Sequence, residues 1–482
     1  MKTRILAVLS MTVALVAGAQ NQSLDQMQST LKEMQKTITN LQQQIIELKK
    51  QQPSPPAQPT PGSPAAQPTP GQGVEFIPPT IKVPPPASQV APRDALNDQQ
   101  EAAQRPGDLT LDPKYRGFIP IPNTPAFIKF NAKVRLDVTD DNRNSGNPDR
   151  FVPAQIPVKS EVAHGGGNQF NVNARASTLS LDVRAPEFPG APRFYYNNDF
   201  FGGGIGGGMG YRLKQLYGQY FNVTAGFTFS IFEDPDVWPD TVDFEGPNSM
   251  IFARQATMRY LLPLGEHWQV NFGIQQPASE VDDFGLADVS SVNHAPDGGF
   301  NVRWEDLKVG HVQFATILRS VGADSATLGE ESVFGWGLML SSGLNVFRRD
   351  SIQAQVTYGE GYFHYMNDNF TYDGFNGGDA AYDSSGDLQA LACFSVMAGY
   401  THHWSDKFRS TASFGYIDLD NEASQGALAY HKTYYSSVNL VYQLRKRLSI
   451  GLEGLYGKKE VKSGDTGDVF RVQLGLAFAL FD

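Results

Sequence analysis

Lysine and arginine residues at alternate positions of apolar segments are the side chains in this sequence whose chemistry stands out. In AFIKFNAKVRLDV (residues 126–138), Lys129, Lys133 and Arg135 alternate with aliphatic and aromatic residues. Successive side chains of a β-strand point to opposite faces, so this segment has one apolar face and one mostly cationic face. Because arginine binds carboxylate and phosphate groups bidentately, such a face could attract small anions.

The same arrangement recurs along the chain, and it predicts that the polar faces line a water-filled lumen. The other candidate lumen cations are Arg175, Arg212, Lys214, Arg254, Arg259, Arg303, Arg319, Arg409 and Arg471. Acids on these faces are fewer, chiefly Asp137, Asp182 and Glu453, and we expect Asp137 to be paired. The remaining acids concentrate in predicted loops such as FEDPD, EVDDF, YIDLDNE and SGDTGD. The net charge of -11 is therefore expected to combine a basic interior with an acidic rim.

Two of these assignments interrupt the regular alternation. In FNVNARASTLSLDV (residues 170–183) the apolar parity changes, so both Arg175 and Asp182 point inward only if the strand contains a bulge. Arg254 and Arg259 also differ in parity. The lumen positions of Arg175 and Arg254 therefore depend on local irregularities.

Other reactive residue types do not form a catalytic or metal-binding pattern. Cys393 is the single cysteine, and the adjacent His402 and His403 would face opposite sides of a strand, which favours a turn role. The glycine-rich residues 200–210 lack the Gly-Lys-Ser/Thr ending of a phosphate-binding loop and are interpreted as a flexible connection. We predict no enzyme and no cofactor; an outer-membrane lipase, whose triad would form only in space, is the alternative.

The N-terminal residues 1–19 have the pattern of a signal peptide. Lys2 and Arg4 precede an apolar run, and Ala17-Gly18-Ala19 predicts cleavage before Gln20. No later segment has about 18 uninterrupted apolar residues, as a spanning helix requires. A membrane-spanning mature protein would therefore be a closed β-barrel.

Two further segments separate the signal peptide from the predicted barrel. Apolar residues in residues 20–52 repeat at alternate spacings of three and four, which predicts a self-associating coiled coil without choosing dimer or trimer. The alternative is one amphipathic helix packed on a globular domain. Residues 53–125 contain AQPTPG twice and predict an extended, proline-rich linker and lead-in.

Residues 126–482 have the organisation of an outer-membrane β-barrel of about 16 antiparallel strands. Short polar turns flanked by aromatic or aliphatic residues (PLGEHW, RWEDLK, FRRDS, HHWSDKF and QLRKRL) alternate with long loops rich in Asp, Gly and Asn. Strands of roughly ten residues fit between them. A soluble β-sandwich would lack this long and short alternation, and its aromatic residues would not cluster beside the short turns.

The sequence resembles the DcaP-like trimeric outer-membrane transporters over nearly its whole length. The resemblance rests on FIPIPNTPAFIKFNAKVRLDV, YYNNDFFGG, YRLKQLYGQY, FSIFEDPDVWPDTVDFEGP, RQATMRY and YGEGYFHY. It implies a homotrimer of 16-stranded barrels, a periplasmic coiled coil, and uptake of small negatively charged compounds such as dicarboxylates. Phosphate-selective porins share this layout.

The combined patterns predict a passive, anion-preferring channel in the outer membrane of a Gram-negative bacterium, with its N-terminal segment in the periplasm. Its expected partners are outer-membrane lipid, small anionic solutes and two further copies of the chain, and no nucleic acid. Within the porin class, the alternatives are a phosphate-selective porin and a general porin whose cations only balance carboxylates. Outside it, the coil and linker could tether the outer membrane to the cell wall.

Overall fold

The computed structural model describes Lys36 and residues 118–282, 289–306, 308–347, 349–369 and 378–480. The predicted signal peptide, coiled coil and most of the linker lie outside these residues. The strands are β1 (Ile119–Pro120), β2 (Phe127–Asp141), β3 (Gln169–Asn173), β4 (Thr178–Arg184), β5 (Arg193–Asp199), β6 (Arg212–Tyr220), β7 (Val223–Phe229), β8 (Arg254–Leu264), β9 (Trp268–Gln275), β10 (Ser290–Val292), β11 (Asp297–Asp306), β12 (Gly310–Ser325), β13 (Gly329–Val346), β14 (Asp350–Glu360), β15 (Ala380–Tyr382), β16 (Leu388–Ala390), β17 (Ala392–His403), β18 (Phe408–Leu419), β19 (Tyr430–Arg445), β20 (Leu448–Val461) and β21 (Thr466–Ala479). Short 3₁₀ helices occupy Pro153–Gln155, Val162–Gly165, Pro235–Val237 and Phe363–Tyr365.

The strands form a closed antiparallel barrel with sixteen wall positions, as the sequence predicted. Each wall strand pairs with its neighbour in the chain, and β2 closes the barrel by pairing with β21 on one side and with β3 and β4 on the other. The short strands β1 and β10 add to this sheet, and β15 pairs with β16 in a separate sheet. No helix in the described part of the chain is long and apolar enough to cross a membrane.

The two faces of the wall differ as the alternation predicted. In β21, the outward side chains from Phe470 to Phe478 are 39–47% exposed, whereas the inward Arg471 and Gln473 are at most 3% exposed. An apolar outer face and a polar inner face are what a barrel in lipid requires.

The connections at one end of the barrel are short turns, as predicted. Those at the opposite end vary in length more than expected. The strands β12 and β13 have 16 and 18 residues, and only residues 326–328 join them. A similarly short turn, residues 462–465, joins β20 to β21. The prediction of a long loop in every interval was therefore wrong, because strands longer than ten residues use up the chain that was assigned to the loops.

Two register shifts place cations on the inner face. The strands β3 and β4 pair with consecutive parts of β2, and the break at residues 174–177 shifts their register by one residue. Arg175 and Asp182 are both buried as a result, as the predicted bulge requires. In β6, Lys214 is the extra residue opposite Asn197 and Asn198, so the inward parity changes beside it.

The loop between β7 and β8, residues 230–253, folds into the barrel, and we call it the inward loop. Nearly all of its residues are buried, including Glu233, Asp234 and Asp236 of the FEDPD segment. The expectation that these acids form an outer rim was wrong. The physical reason is that wall arginines supply partners for them inside the barrel.

Inner-face glycines make room for the inward loop along its path. A Cβ added at Gly299 would lie 2.7 Å from Cβ of Ile231, and one added at Gly399 would lie 2.7 Å from Cγ of Pro239. A Cβ added at Gly475 would lie 2.8 Å from Cγ1 of Val242. These three glycines come from strands β11, β17 and β21, so the wall accommodates the loop at several separate points.

Replacing Gly299 with alanine is expected to push the inward loop away from β11. The added methyl group overpacks the contact with Ile231, which typically costs about 1–3 kcal/mol. The neighbouring Gly298 has open space around its Cβ position and provides a matched control in the same strand. Thermal unfolding of the detergent-solubilised barrel measures both variants; equal melting temperatures would contradict the close contact.

Candidate functional site

An ion-pair network at Arg303 holds the first part of the inward loop against the wall. The Arg303 guanidinium donates to Asp234 (3.0 Å) and Asp236 (2.6 Å) of the loop and to Glu305 (2.9 Å) of its own strand. His311 Nε2 lies 2.9 Å from Asp234, and the Arg303 side chain has no solvent exposure. A buried charge pair of this kind specifies one loop position, because removing either partner leaves an uncompensated charge.

This cluster is better explained as an ion-pair network than as a metal centre. Carboxylate and imidazole atoms of Asp234, Asp236 and His311 lie within 4.8 Å of one another, a spacing that could hold a metal ion. However, the guanidinium of Arg303 contacts both carboxylates and supplies the positive charge that a cation would bring. The sequence predicted no metal, and this geometry gives no reason to add one.

Further contacts attach the loop across the lumen. Asp240 pairs with Arg409 of β18, and the carbonyl of Val242 accepts from Arg135 of β2. The backbone N–H of Asp243 donates to Glu453 of β20 at 2.5 Å. The loop therefore contacts the wall from β11 to β2 inside the barrel.

The remaining predicted lumen cations on the inner face are also engaged with protein groups. Arg135 pairs with Asp137 at 2.8 Å, so this acid is paired, as the sequence analysis expected. Arg319 bonds Asp297 and Asp379 at 2.9 Å, and Arg471 bonds Asp141 at 2.6 Å. The side chains with other surroundings are Lys129, 5.9 Å from the Phe118 ring; Lys133, opposite Thr178; Arg259, 3.4 Å from the Phe229 carbonyl; and the buried Lys214.

Four arginines instead converge on one cavity, which we call the arginine pocket. Arg150, Arg175, Arg212 and Arg254 line a half-open space of about 570 Å³ together with Asp149, Glu245 and Glu280. Its walls come from the β2–β3 connection, the glycine-rich residues 200–210, the inward loop and the loop after β14. The volume lies within the range of small-molecule binding sites.

Aromatic rings and carboxylates fix the guanidinium groups of the pocket. Those of Arg150, Arg175 and Arg212 lie 5.1–5.5 Å from the Phe201 ring centroid. Arg175 pairs with Asp149, Arg212 with Asp199 at 2.6 Å, and Arg150 with Glu245 at 3.5 Å. Burial lowers the pKa of Arg150 and the positive charges of Arg212 and Arg175 add to this effect, whereas the negative charges of Glu245 and Asp199 oppose it. The pocket thus brings four guanidinium groups together with carboxylate partners for at least three of them.

Arg254 reaches the pocket from an unexpected position in its strand. It has the parity of the lipid-facing Met258 and Tyr260, but it is the first residue of β8. Its guanidinium lies 4.9 Å from the Phe229 ring and 4.6 Å from the Phe252 ring. At a strand end the chain can turn this side chain inward, which explains the parity difference noted in the sequence.

The sequence did not single out Arg150, because it lies in an irregular loop without strand periodicity. Residues 147–151 read NPDRF, a turn-type composition followed by a buried phenylalanine. That composition predicts a turn but not the side-chain direction. Arg175, Arg212 and Arg254 were predicted individually, but only the folded chain brings them together with Arg150.

The docking of the inward loop is expected to weaken as the pH rises from about 4 to about 7. The pKa of Asp243 is raised from 3.8 to about 7; burial is the main cause and the nearby Glu245 adds to it, whereas Arg471 and backbone N–H donors oppose the rise. The docked loop therefore keeps a proton that the undocked loop loses in this interval, so docking is stronger at low pH. Proteolysis of the inward loop at pH 5 and pH 8 measures the effect.

The variant Asp243→Asn should reduce this pH dependence without abolishing it, because burial also raises the pKa values of Glu233 and Glu245 in the same loop. Asp306→Asn, at the end of β11, should retain the full pH dependence. Tyr435 Oη lies 3.5 Å from Asp243, and the Gly246 N–H donates to the same carboxyl at 2.9 Å, so asparagine keeps an acceptor there. An unchanged pH profile in Asp243→Asn would contradict the assignment.

The sequence from residue 90 to residue 479 matches the DcaP outer membrane protein family. The chain belongs to this family. Its barrel resembles the crystal structure of the outer membrane channel DcaP of Acinetobacter baumannii, with a TM-score of 0.63 and 20% identity, over 74% of this chain and 97% of that one. Membership of the DcaP family identifies an outer-membrane channel protein rather than an enzyme, as the sequence predicted.

Two porins show weaker similarity to this DcaP-family barrel. An anion-selective porin from Comamonas acidovorans has a TM-score of 0.47 and 12% identity, covering 74% of this chain and 100% of its own. OmpT of Vibrio cholerae has a TM-score of 0.43 and 9% identity, covering 74% and 99%. A comparison with curated proteins found no match.

Proposed function

We propose that this DcaP-family barrel is an anion-preferring diffusion channel for small negatively charged organic solutes, of which dicarboxylates are the class suggested by the family resemblance. The observation that carries the proposal is the arginine pocket, where Arg150, Arg175, Arg212 and Arg254 line one cavity at the loop end of the barrel. A cationic cavity with low-dielectric walls focuses the electric field and raises the local anion concentration.

In such a channel, the cations would have three different roles, according to their surroundings. Arg175, Arg212 and Arg254 would contact the solute, together with Arg150. Arg135, Arg303 and Arg409 bond the inward loop and would set the width of the passage. The charges of Lys129, Lys133, Lys214, Arg259, Arg319 and Arg471 would contribute to the field without contacting the solute.

Assembly and location are part of the same proposal. The barrel would lie in a Gram-negative outer membrane, with residues 20–52 as a periplasmic coiled coil and residues 53–125 as the spacer. The heptad pattern supports self-association, and the family resemblance supports three copies per assembly. Tethering to the cell wall through the N-terminal segment would be an additional role.

The reversal potential of single channels in a planar bilayer under a KCl gradient tests the function. The proposal expects a reversal potential of the sign set by chloride. Cation preference would contradict it, and absence of conductance in correctly folded protein would favour the tether.

A second candidate is a general porin with weak selectivity. The ion pairs of the wall arginines favour this candidate. Arg135, Arg319 and Arg471 each bond a carboxylate and are at most 3% exposed, so their charges are balanced within the protein. A reversal potential near zero would support this candidate. Stronger permeation of phosphate than of organic acids would instead support a phosphate-selective porin.

A further inference from the structure

Charged side chains form a band on the outer surface of the barrel at its loop end. The strand residues of this charged band have the same parity as the lipid-facing Val438, Leu452 and Phe470, so they point outward. They lie opposite one another across β18, β19, β20 and β21, and a residue that follows β2 completes the band. The charged band comprises Asp418, Lys432, Tyr434, Lys458, Glu460, Asp468 and Arg143.

Each cation of the charged band has an acidic neighbour, but these ion pairs are open to solvent. Lys432 Nζ lies 3.3 Å from Asp418, and Lys458 Nζ lies 3.8 Å from Glu460. Arg143 Nη1 lies 3.5 Å from Asp468. The six side chains are 27–39% exposed. Ion pairs at such exposure stabilise a protein little, so the cations can exchange these partners for a more highly charged anion.

Other contacts keep cations at this level of the wall. Lys458 Nζ lies 5.5 Å from the centroid of the Tyr434 ring, which packs against Tyr416 with centroids 5.0 Å apart. Lys159 Nζ donates to Thr466 Oγ1 at 3.3 Å, and Thr466 lies opposite Glu460 in register. Cations therefore come from the β2–β3 connection as well as from β19 and β20.

The charged band borders an apolar section of the same wall. Nearer the turn end, the outward Phe414, Val438, Leu452 and Phe470 are 41–61% exposed. Acyl chains cover such a surface, and the long loops of outer-membrane barrels face the exterior of the cell. The charged band therefore lies at the level of the lipid headgroups of the outer leaflet.

The opposite side of the barrel differs at this level. Asp324 of β12 and Glu330 of β13 lie opposite each other in register and have outward parity. Residues 320–335, which include these strand ends, contain no lysine or arginine. An anionic headgroup would be repelled there, so charge complementarity restricts it to the side with the charged band.

The width of the charged band indicates a headgroup with two separated phosphates. Lys432 is in β19, and Arg143 is next to β21, because the N–H of Asn142 donates to the carbonyl of Phe470. Neighbouring strands are about 4.8 Å apart, so the two cations are separated by roughly 14 Å across the sheet. One phosphate cannot contact both cations, whereas a headgroup with a phosphate at each end can.

We propose that the charged band binds a bisphosphorylated glycolipid of the lipid A class, with its phosphates on the cations and its acyl chains on the apolar wall beside them. Both lysine and arginine bind phosphate groups. Lipids of this class form the outer leaflet of Gram-negative outer membranes. The inference rests on the outer-membrane location of the barrel and is independent of the solute that passes through it.

Native mass spectrometry of the full-length protein in detergent tests the proposal with bisphosphoryl lipid A, monophosphoryl lipid A, phosphatidylglycerol and inorganic phosphate. EDTA is present, so that the acids of the band cannot hold phosphates through a divalent cation. Bisphosphoryl lipid A is expected to bind about fivefold more tightly than monophosphoryl lipid A, because its second phosphate contacts a second part of the band. Phosphatidylglycerol and inorganic phosphate should bind more weakly still.

Three results would overturn the proposal. Equal binding of the two forms of lipid A would show that the band does not recognise two phosphates. Phosphatidylglycerol binding as tightly as bisphosphoryl lipid A would indicate a site for any anionic lipid. Inorganic phosphate binding as tightly would indicate a site for a free anion.

A double variant locates the lipid on the charged band. In Arg143→Gln with Lys458→Gln, the two forms of lipid A should bind within about twofold of each other, because the contacts of one phosphate are lost. Lys308→Gln with Arg349→Gln makes the same change in net charge at the turn end and should keep the wild-type preference. A preference that persists in the first variant would remove the band from the site. If that variant does not fold, the four wild-type affinities still decide the proposal.

The reversal potential in a KCl gradient tests the proposed function separately. Cation preference together with the expected lipid A preference would reject the anion channel and retain the lipid site. Anion preference together with equal binding of the two forms of lipid A would retain the channel and reject the lipid site.

Discussion

Replacing Arg303 with glutamine is expected to release the inward loop and raise the single-channel conductance. The substitution leaves the carboxylates of Asp234 and Asp236 buried without the guanidinium that contacts both. Breaking a buried pair by removing one partner typically costs about 3–5 kcal/mol. Because Asp240 and Val242 keep their own wall contacts, we expect the first part of the loop to detach more than the rest.

Arg349→Gln is the matched control for this experiment. Arg349 pairs with Asp406 at the turn end, where their side chains are 52% and 91% exposed, and exposed pairs contribute about 0–1 kcal/mol. Its conductance and thermal stability should match the wild type. Conductance equal to that of the wild type in a correctly folded Arg303→Gln would show that the ion pair does not hold the constriction.

Replacing Arg150 and Arg254 together with glutamine is expected to shift the channel towards cations. The pocket then keeps two arginines beside Asp149, Glu245 and Glu280, so its charge becomes negative. A change of about 1 kcal/mol in the electrostatic energy of a permeating ion corresponds to roughly a fivefold change in permeability ratio. The reversal potential in a KCl gradient measures this change.

The control carries the same change in net charge outside the pocket. Arg349 and Arg445, both at the turn end, are replaced with glutamine in one protein. This double variant should keep most of the anion preference, because charges in salt solution are screened over about 10 Å. If both double variants shift the reversal potential equally, net charge rather than the pocket governs selectivity.

The Arg303 variant and the Arg150/Arg254 double variant test different parts of the channel. Arg303 acts on the inward loop, and its loss should change conductance more than selectivity. Arg150 and Arg254 act on the pocket, and their loss should change selectivity more than conductance. Under the proposed function, pore width and ion preference would therefore depend on separate sets of arginines.

The sequence alone determined the class of fold and the inner faces of most strands. Alternation in segments such as β2 and β21 specifies the lipid and lumen faces, because a strand has a side-chain period of two. The bulge near Arg175 also followed from a change in parity. These features depend on residues close together in the chain, and local periodicity records them.

Only the tertiary structure decided which cations bond the inward loop and which line one cavity. Asp234 and Arg303 are 69 residues apart, and no local pattern indicates that the loop acids enter the lumen and pair with wall arginines. Arg150 and Arg254 likewise meet only because separate loops fold over the same part of the barrel. Ion pairing depends on distances in space, so a list of basic residues in phase could locate the lumen face but not the arginine pocket.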